Sequence, residues 1–386
     1  MVRLGSDLLL ASSRLKGARV GIVCNHASLD RGFLHIVDRL AAAPDVTLAA
    51  IFGPQHGFRS DVQDNMIETA HADDPARRVP VYSLYSETRE PTAAMLAGLD
   101  FLVIDLQDIG ARIYTYIYTM ANCLRASARH GVRVIVCDRP NPIGGTDVEG
   151  ALLVEGFESF VGQFPIPMRH GMTIGELARL FNEHFAIGAS LEVVQMEGWQ
   201  REMYSDATDL PWVMPSPNMP TLDTAIVYPG TVLFEGILIS EGRGTTRPFE
   251  LIGAPWIEAE SFARRMNALK LPGAYFRPAV FEPTFQKHAK QTCGGCQIHV
   301  TDRRQFQPVL VGVALITMFH QVDPARFAWR QPPYEYEHDK MPIDILAGSE
   351  ELRGQIESGT TAHDIAASWK KDEERFRKLR DPFLLY

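Results

Sequence analysis

Short β-rich apolar runs recur from the N-terminus, each ending in polar residues and each followed by a helical stretch. This alternation limits the fold more than any other feature of the chain. ARVGIVCNHA reads as a strand running into a polar loop, and GFLHIVDRLAAA as an amphipathic helix. VTLAAIFGPQHG, VPVYSLYS, the middle of AAMLAGLDFLVIDLQDIGAR and VRVIVCDRPNPIGG repeat the strand, and YTYIYTMANCLRASARHG repeats the helix. β-α-β order of this kind predicts an open, largely parallel sheet with helices on both faces. In such sheets ligands bind beyond the carboxyl ends of the strands. Those ends carry Asn25 and His26, then Gln55 and His56, then Asp105, Gln107, Asp108 and Arg112, then Asp138, Arg139 and Asn141. Taken singly, each is explained by turn closure or helix capping. Four successive strand ends of the same character point to a shared site.

With 386 residues the chain is longer than one typical core fills. The α/β reading is therefore a Rossmann-like parallel-sheet subdomain over residues 1–205, followed by a smaller α+β subdomain over 206–386. LPWVMPSPNMPTLDTAIVYPG, rich in Pro, reads as a connection draped between them. A formal net charge of -9 gives no basic footprint for a nucleic-acid partner. No apolar run has the length of a membrane helix, so no membrane insertion is expected. The chain as given reads as cytoplasmic or signal-stripped. The five scattered cysteines suit reduced thiols. A homo-oligomer is compatible with all of this.

The glycine fingerprint of dinucleotide binding, the P-loop, the zinc-protease helix and the serine elbow are all missing from the sequence, so neither cofactor nor metal is expected. CGGC, Cys293 to Cys296, has no second ligand pair and reads as a tight turn with buried thiols. ISEGRGTTRPFE concentrates Glu241, Arg243, Thr245, Thr246 and Arg247 after what reads as an apolar strand, with two glycines to let backbone approach a ligand. In MRHGMTIGELARLF, Thr173 and Glu176 form a capping box, which leaves Arg169 and His170 unexplained in the preceding loop.

FGPQHGFRSDVQDNM, IDLQDIGARIYTYIYTM, DRPNPIGG, IPMRHGMTIGELA, PSPNMPTLDTAIVYPGT, FEGILISEGRGTTRPFE and IHVTDR follow one another along nearly the whole chain. With these blocks the sequence resembles the DUF1343 family of NamZ-like exo-β-N-acetylmuramidases, a glycoside hydrolase family. The resemblance implies a Rossmann-like subdomain joined to a smaller one, an active cleft between them, and release of terminal N-acetylmuramic acid (MurNAc) from peptidoglycan fragments. The partner it implies is a saccharide of MurNAc-GlcNAc type. In NamZ-like members the first loop reads Pro-Glu-His-Gly, and that glutamate resembles the family's catalytic carboxylate. Here the position is Gln55.

An amide cannot act as acid or as carboxylate nucleophile. Three readings stay open: another carboxylate does the acid step, the sugar specificity differs, or the protein binds without hydrolysing. Carboxylates expected in loops are Asp105, Asp108, Glu235 and Glu241. Glu241 is the expected acid or base, with Asp105 or Asp108 as its partner, His56 polarising or positioning, and Gln55 orienting an acetamido group. Muramic acid carries a lactyl carboxylate, which an Arg fork suits; Arg59, Arg112, Arg243 and Arg247 are the candidates. Asn25, His26, His170, Thr245 and Thr246 complete the expected binding set. Tyr82, Tyr85, Tyr114, Tyr116 and Trp212 are available to stack on a sugar, though most are expected in the core.

Overall fold

The computed structural model describes residues 1–64 and 66–386. Its strands, in chain order, are β1 (Arg19–Cys24), β2 (Thr47–Gly53), β3 (Ala72–Asp74), β4 (Val79–Ser83), β5 (Phe101–Asp105), β6 (Arg133–Cys137), β7 (Glu149–Leu152), β8 (Pro167–Arg169), β9 (Leu191–Val194), β10 (Leu251–Ala254), β11 (Ala274–Phe281) and β12 (Cys293–Val300). Seven form one sheet in the order β3-β4-β2-β1-β5-β6-β9, parallel except for β3. β10, β12 and β11 form a separate antiparallel sheet, and β7 and β8 a small ribbon.

Period-two alternation assigns the large sheet's side chains to two cores. Val20, Ile22, Phe101, Val103, Ile135 and Cys137 face one layer, with Ile36, Val37 and Leu40. Val23, Leu102, Ile104, Val134 and Val136 face the other, which continues without a break into the second half of the chain. Burial on both faces is what produces nearly uninterrupted apolar runs in β1, β5 and β6. Strand order reverses about β1, with β2 and β4 on one side and β5, β6 and β9 on the other. That reversal opens a crevice at the carboxyl ends of β1 and β5.

Several local expectations need correction. The helix expected from Gly32 covers only Ile36–Ala42, because Asp30 accepts from the backbone N–H groups of Gly32 and Leu34 and folds the preceding residues into a turn. The Pro-rich connection ends in a helix, Leu222–Thr231, despite Pro229. The apolar strand expected before Glu241 is a 3-10 turn, Val232–Gly236, followed by single bridges from Ile237 to Trp329 and from Ser240 to Gly253. CGGC opens β12 rather than a turn. A Cβ on Gly294 or Gly295 would lie 2.0 or 1.9 Å from the carbonyl oxygens of Ile257 or Ile252, so the glycines serve close backbone approach within a sheet. Both thiols are buried, as expected.

Candidate active site

A narrow pocket at the carboxyl ends of β2 and β5 is lined by Gln55, His56, Tyr114, Thr115, Tyr116, Glu235, Arg243, Tyr334 and Glu335, among others. Gln55 and His56 sit on a turn closed by the Gly57 N–H to the Pro54 carbonyl at 2.9 Å. His56 and Gly57 both adopt left-handed backbone, with φ of 70° and 80°. Gly53 is required just before it, since a Cβ there would stand 2.6 Å from the Phe58 nitrogen. Thr115, immediately ahead of the helix Tyr116–His130, donates its hydroxyl to Gln55 Oε1 at 2.7 Å. The Gln55 amide is thereby held by its oxygen, and its NH2 is left as the free donor in a pocket that Glu335 also lines, where it favours the ionised form of that carboxyl. His56 Nδ1 lies 2.8 Å from the Val62 carbonyl, which can only accept, so the proton is on Nδ1 and Nε2 carries the lone pair. Burial pushes this imidazole down to about 4, so it is neutral at ordinary pH.

Two glutamates face this pocket, and their surroundings push their carboxyls in opposite directions. Glu235 accepts from Arg243 at 2.5 Å on Oε1 and from the Tyr334 hydroxyl at 2.6 Å on Oε2. Burial alone would raise its carboxyl, but the Arg243 charge and these hydrogen bonds outweigh burial and hold it below the ordinary value. Glu335 is 4% exposed and accepts from the Tyr85 hydroxyl at 3.0 Å. Burial, reinforced by the Glu235 charge, pushes it up to about 7 against the opposing hydrogen bonds from Tyr85 and Gln55. Paired carboxyls whose environments push them apart are the arrangement acid–base chemistry needs.

Glu335 occupies a two-residue turn between Tyr334 and Glu337, which exchange backbone hydrogen bonds at 2.9 Å in both directions. Glu335 and Tyr336 have φ of 44° and 70°. Positive φ at both central positions is the type I′ pattern, which ordinarily takes Asn-Gly. Glu-Tyr in that place is strained backbone, of the kind that persists where the surroundings impose it. Arg89 packs against this turn, with its guanidinium carbon 4.4 Å from the ring centroids of both Tyr85 and Tyr336. Glu335 escaped the sequence reading; its signal was the alternation of acid and aromatic in PPYEYEHDK.

The remaining expected residues separate by position. Glu241 is 1% exposed and stands behind the pocket wall, bonded to Lys287 at 2.6 Å and facing Arg243 Nε at 3.3 Å. Asp105 and Asp108 do not pair with it. Asp105 is clamped by Arg139 at 2.5 and 3.1 Å, while Asp108 accepts from the Gly110 N–H and lies 3.4 Å from His170 Nε2, with His170 fully buried. Arg112 is corrected outright: also fully buried, it donates to the carbonyls of Ala151, Ile166, Leu346 and Ala347, leaving no fork for a ligand. Asn25 bonds the Tyr116 hydroxyl and the Pro215 carbonyl and so holds the wall segment that carries Ser216, while His26, half-buried beside Met214, does not line the pocket. Thr245 closes its own turn on the Gly242 carbonyl, Thr246 is exposed, and Arg247 pairs with Glu250. Arg59 is exposed and lines a neighbouring cavity of about 440 Å³, whose wall includes Gly53, Gly57 and Phe58 of the same loop. Trp212 lines a different recess, beside Arg139.

Among the described residues no cluster of three or more His, Cys, Asp or Glu could hold a metal ion. No helix among them is long and apolar enough to cross a membrane. Residues 20–223 match the family model "Exo-beta-N-acetylmuramidase NamZ, N-terminal", and residues 226–386 match its C-terminal counterpart. The chain is 46% identical over 387 aligned residues to the peptidoglycan beta-N-acetylmuramidase NamZ of Bacillus subtilis, covering 100% of this chain and 91% of that one. A crystal structure of a DUF1343 family protein from Bacteroides fragilis superposes with a TM-score of 0.90 at 35% identity, covering 100% of this chain and 99% of the other. A second protein of that family from the same organism gives 0.76 at 29% identity, with the same coverage. Matched by the family's N-terminal and C-terminal models and by a relative 46% identical over the whole of this chain, the chain belongs to the NamZ family of exo-β-N-acetylmuramidases.

Proposed function

We propose that this protein is a glycoside hydrolase that releases terminal β-1,4-linked MurNAc from peptidoglycan fragments during cell-wall turnover. The observation that carries this reading is the pocket holding one carboxyl near neutrality, Glu335, beside one kept ionised, Glu235. Glycosidic cleavage requires that combination: a proton for the leaving oxygen and a negative charge for the oxocarbenium-like centre. Gln55, held by Thr115, supplies a fixed amide, and neutral His56 supplies an acceptor. Division into subdomains at residues 1–205 and 206–386, with the cleft between them, is supported by the pocket's parentage. Gln55, His56 and Thr115 come from the first segment, and Glu235, Arg243 and Glu335 from the second.

Arg59 is the guanidinium we assign to the lactyl carboxylate, because Arg112, Arg243 and Arg247 are engaged by carbonyls or carboxylates of the protein itself. One assay tests both statements: release of free MurNAc from a MurNAc-GlcNAc disaccharide, with a GlcNAc-terminated glycan as control. Release from the first alone is expected, and Arg59→Ala should raise KM for it. No release by a folded protein that still binds MurNAc would replace the hydrolase by a sugar-binding protein. An unchanged KM in the Arg59 variant would return the carboxylate to another cation.

A further inference from the structure

With an amide at position 55, the proton for the leaving group has to come from elsewhere in the pocket. We infer that Glu335 is the proton donor of this chain, aimed into the pocket by Gln55 and Tyr85. The inference rests on the reading of the pocket as a glycosidase site, and it turns on which carboxyl is free to hold a proton. Glu235 cannot serve, because both its oxygens accept, one from a guanidinium. Glu241 cannot, because Lys287 and Arg243 bind it behind the wall. Glu335 accepts from the Tyr85 hydroxyl and shares the pocket lining with the Gln55 amide, both neutral, and its burial favours the protonated form. The strained turn at Glu335 and Tyr336 aims the group, since relaxing φ at either residue would swing the carboxyl away.

In the reaction, the Glu335 proton passes to the glycosidic oxygen as the C1–O bond breaks, and the bonding pair leaves with that oxygen as the hydroxyl of the departing sugar. The positive charge left at C1 is balanced by the Glu235 carboxylate. Water then adds to C1 and returns a proton to Glu335, so the enzyme ends as it began. Tyr85 and Gln55 are positioning residues in this scheme; they touch the acid and set where its proton points.

The test compares wild type with Glu335→Gln on two substrates, the MurNAc-GlcNAc disaccharide and dinitrophenyl β-MurNAc, whose leaving group departs without a proton. On the disaccharide kcat should fall about 10²–10⁴-fold with little change in KM, the usual size of a general-acid contribution. On the dinitrophenyl glycoside most of kcat should survive, and the basic limb of the pH profile should disappear. Equal losses on both substrates, or full activity on the disaccharide, would overturn the assignment while leaving the wild-type activity, and so the functional reading, intact. An inactive wild type would instead sink the functional reading, and the donor role with it. Tyr85→Phe provides a second readout should Glu335→Gln not fold. Losing that donor destabilises ionised Glu335, so the basic limb should move to higher pH, and an unmoved limb would count against Glu335.

Discussion

The amide at position 55 bears directly on the carboxyl that shares its pocket. Thr115 fixes the amide by its oxygen, and the amide favours the ionised form of Glu335 in the same pocket. Gln55→Glu would exchange that donor for a second carboxyl, and both the lost hydrogen bond and the added negative charge disfavour ionisation of Glu335. With Glu335 as the proposed donor, the basic limb of kcat/KM should therefore shift upwards in this variant. Were the limb to stay in place, Gln55 and Glu335 would not be coupled as their contact implies. The sequence reading located Gln55 and His56 because Pro and Gly punctuate the end of a strand. It missed Glu335 because the acid–aromatic alternation around that residue does not announce that a segment 280 positions downstream returns to the same pocket. It overrated Arg112 for the same reason, since the four carbonyls that consume this guanidinium lie in three distant segments.

Among the elements, the helices Leu222–Thr231 and Pro308–Val322 show how close packing sets what a position tolerates. They cross at Gly230 and Gly312. A Cβ on Gly312 would lie 2.3 Å from the Gly230 carbonyl oxygen, and one on Gly230 would lie 1.8 Å from that of Pro308. Alanine favours a helix over glycine by about 1 kcal/mol. Here the clash is with backbone, which cannot rotate away, and overpacking of this kind costs about 1–3 kcal/mol. Gly312→Ala should accordingly lower Tm, although propensity alone would raise it. A Tm at or above wild type would show that these helices do not touch at glycine. Because the first of them runs directly into the turn Val232–Gly236, which carries Glu235, the same variant should also weaken turnover.

At the scale of the whole molecule, the C-terminal end is tied back to the first sheet. Arg380 donates to the carbonyls of Gly145, Thr146, His170 and Gly171, and the Tyr386 hydroxyl bonds Asp138 at 2.7 Å. Another buried acid marks where the ribbon β7-β8 meets the second half: Glu149 accepts from the Leu310 N–H at 2.8 Å, and burial pushes its carboxyl up to about 7. Its folded pKa thus lies above the unfolded value of 4.5. Between those limits the unfolded chain gives up a proton that the folded protein keeps, so stability is lost as pH rises through the window. Glu149→Gln keeps an acceptor for Leu310 and removes the titration. Its Tm should vary less than that of wild type between pH 5 and 8 and exceed it at pH 8; parallel curves would mean Glu149 is ionised in the folded state throughout. The sequence by itself determined the parallel sheet, the order of its strands' apolar runs and the loops at their carboxyl ends, because period-two patterning and Pro-Gly punctuation are local in origin. Only the tertiary structure decided which charges meet. Arg139 takes Asp105, Lys287 and Arg243 take Glu241, and Glu335 is left protonatable beside Gln55, since the state of a buried charge depends on partners that the fold alone brings within a few ångströms.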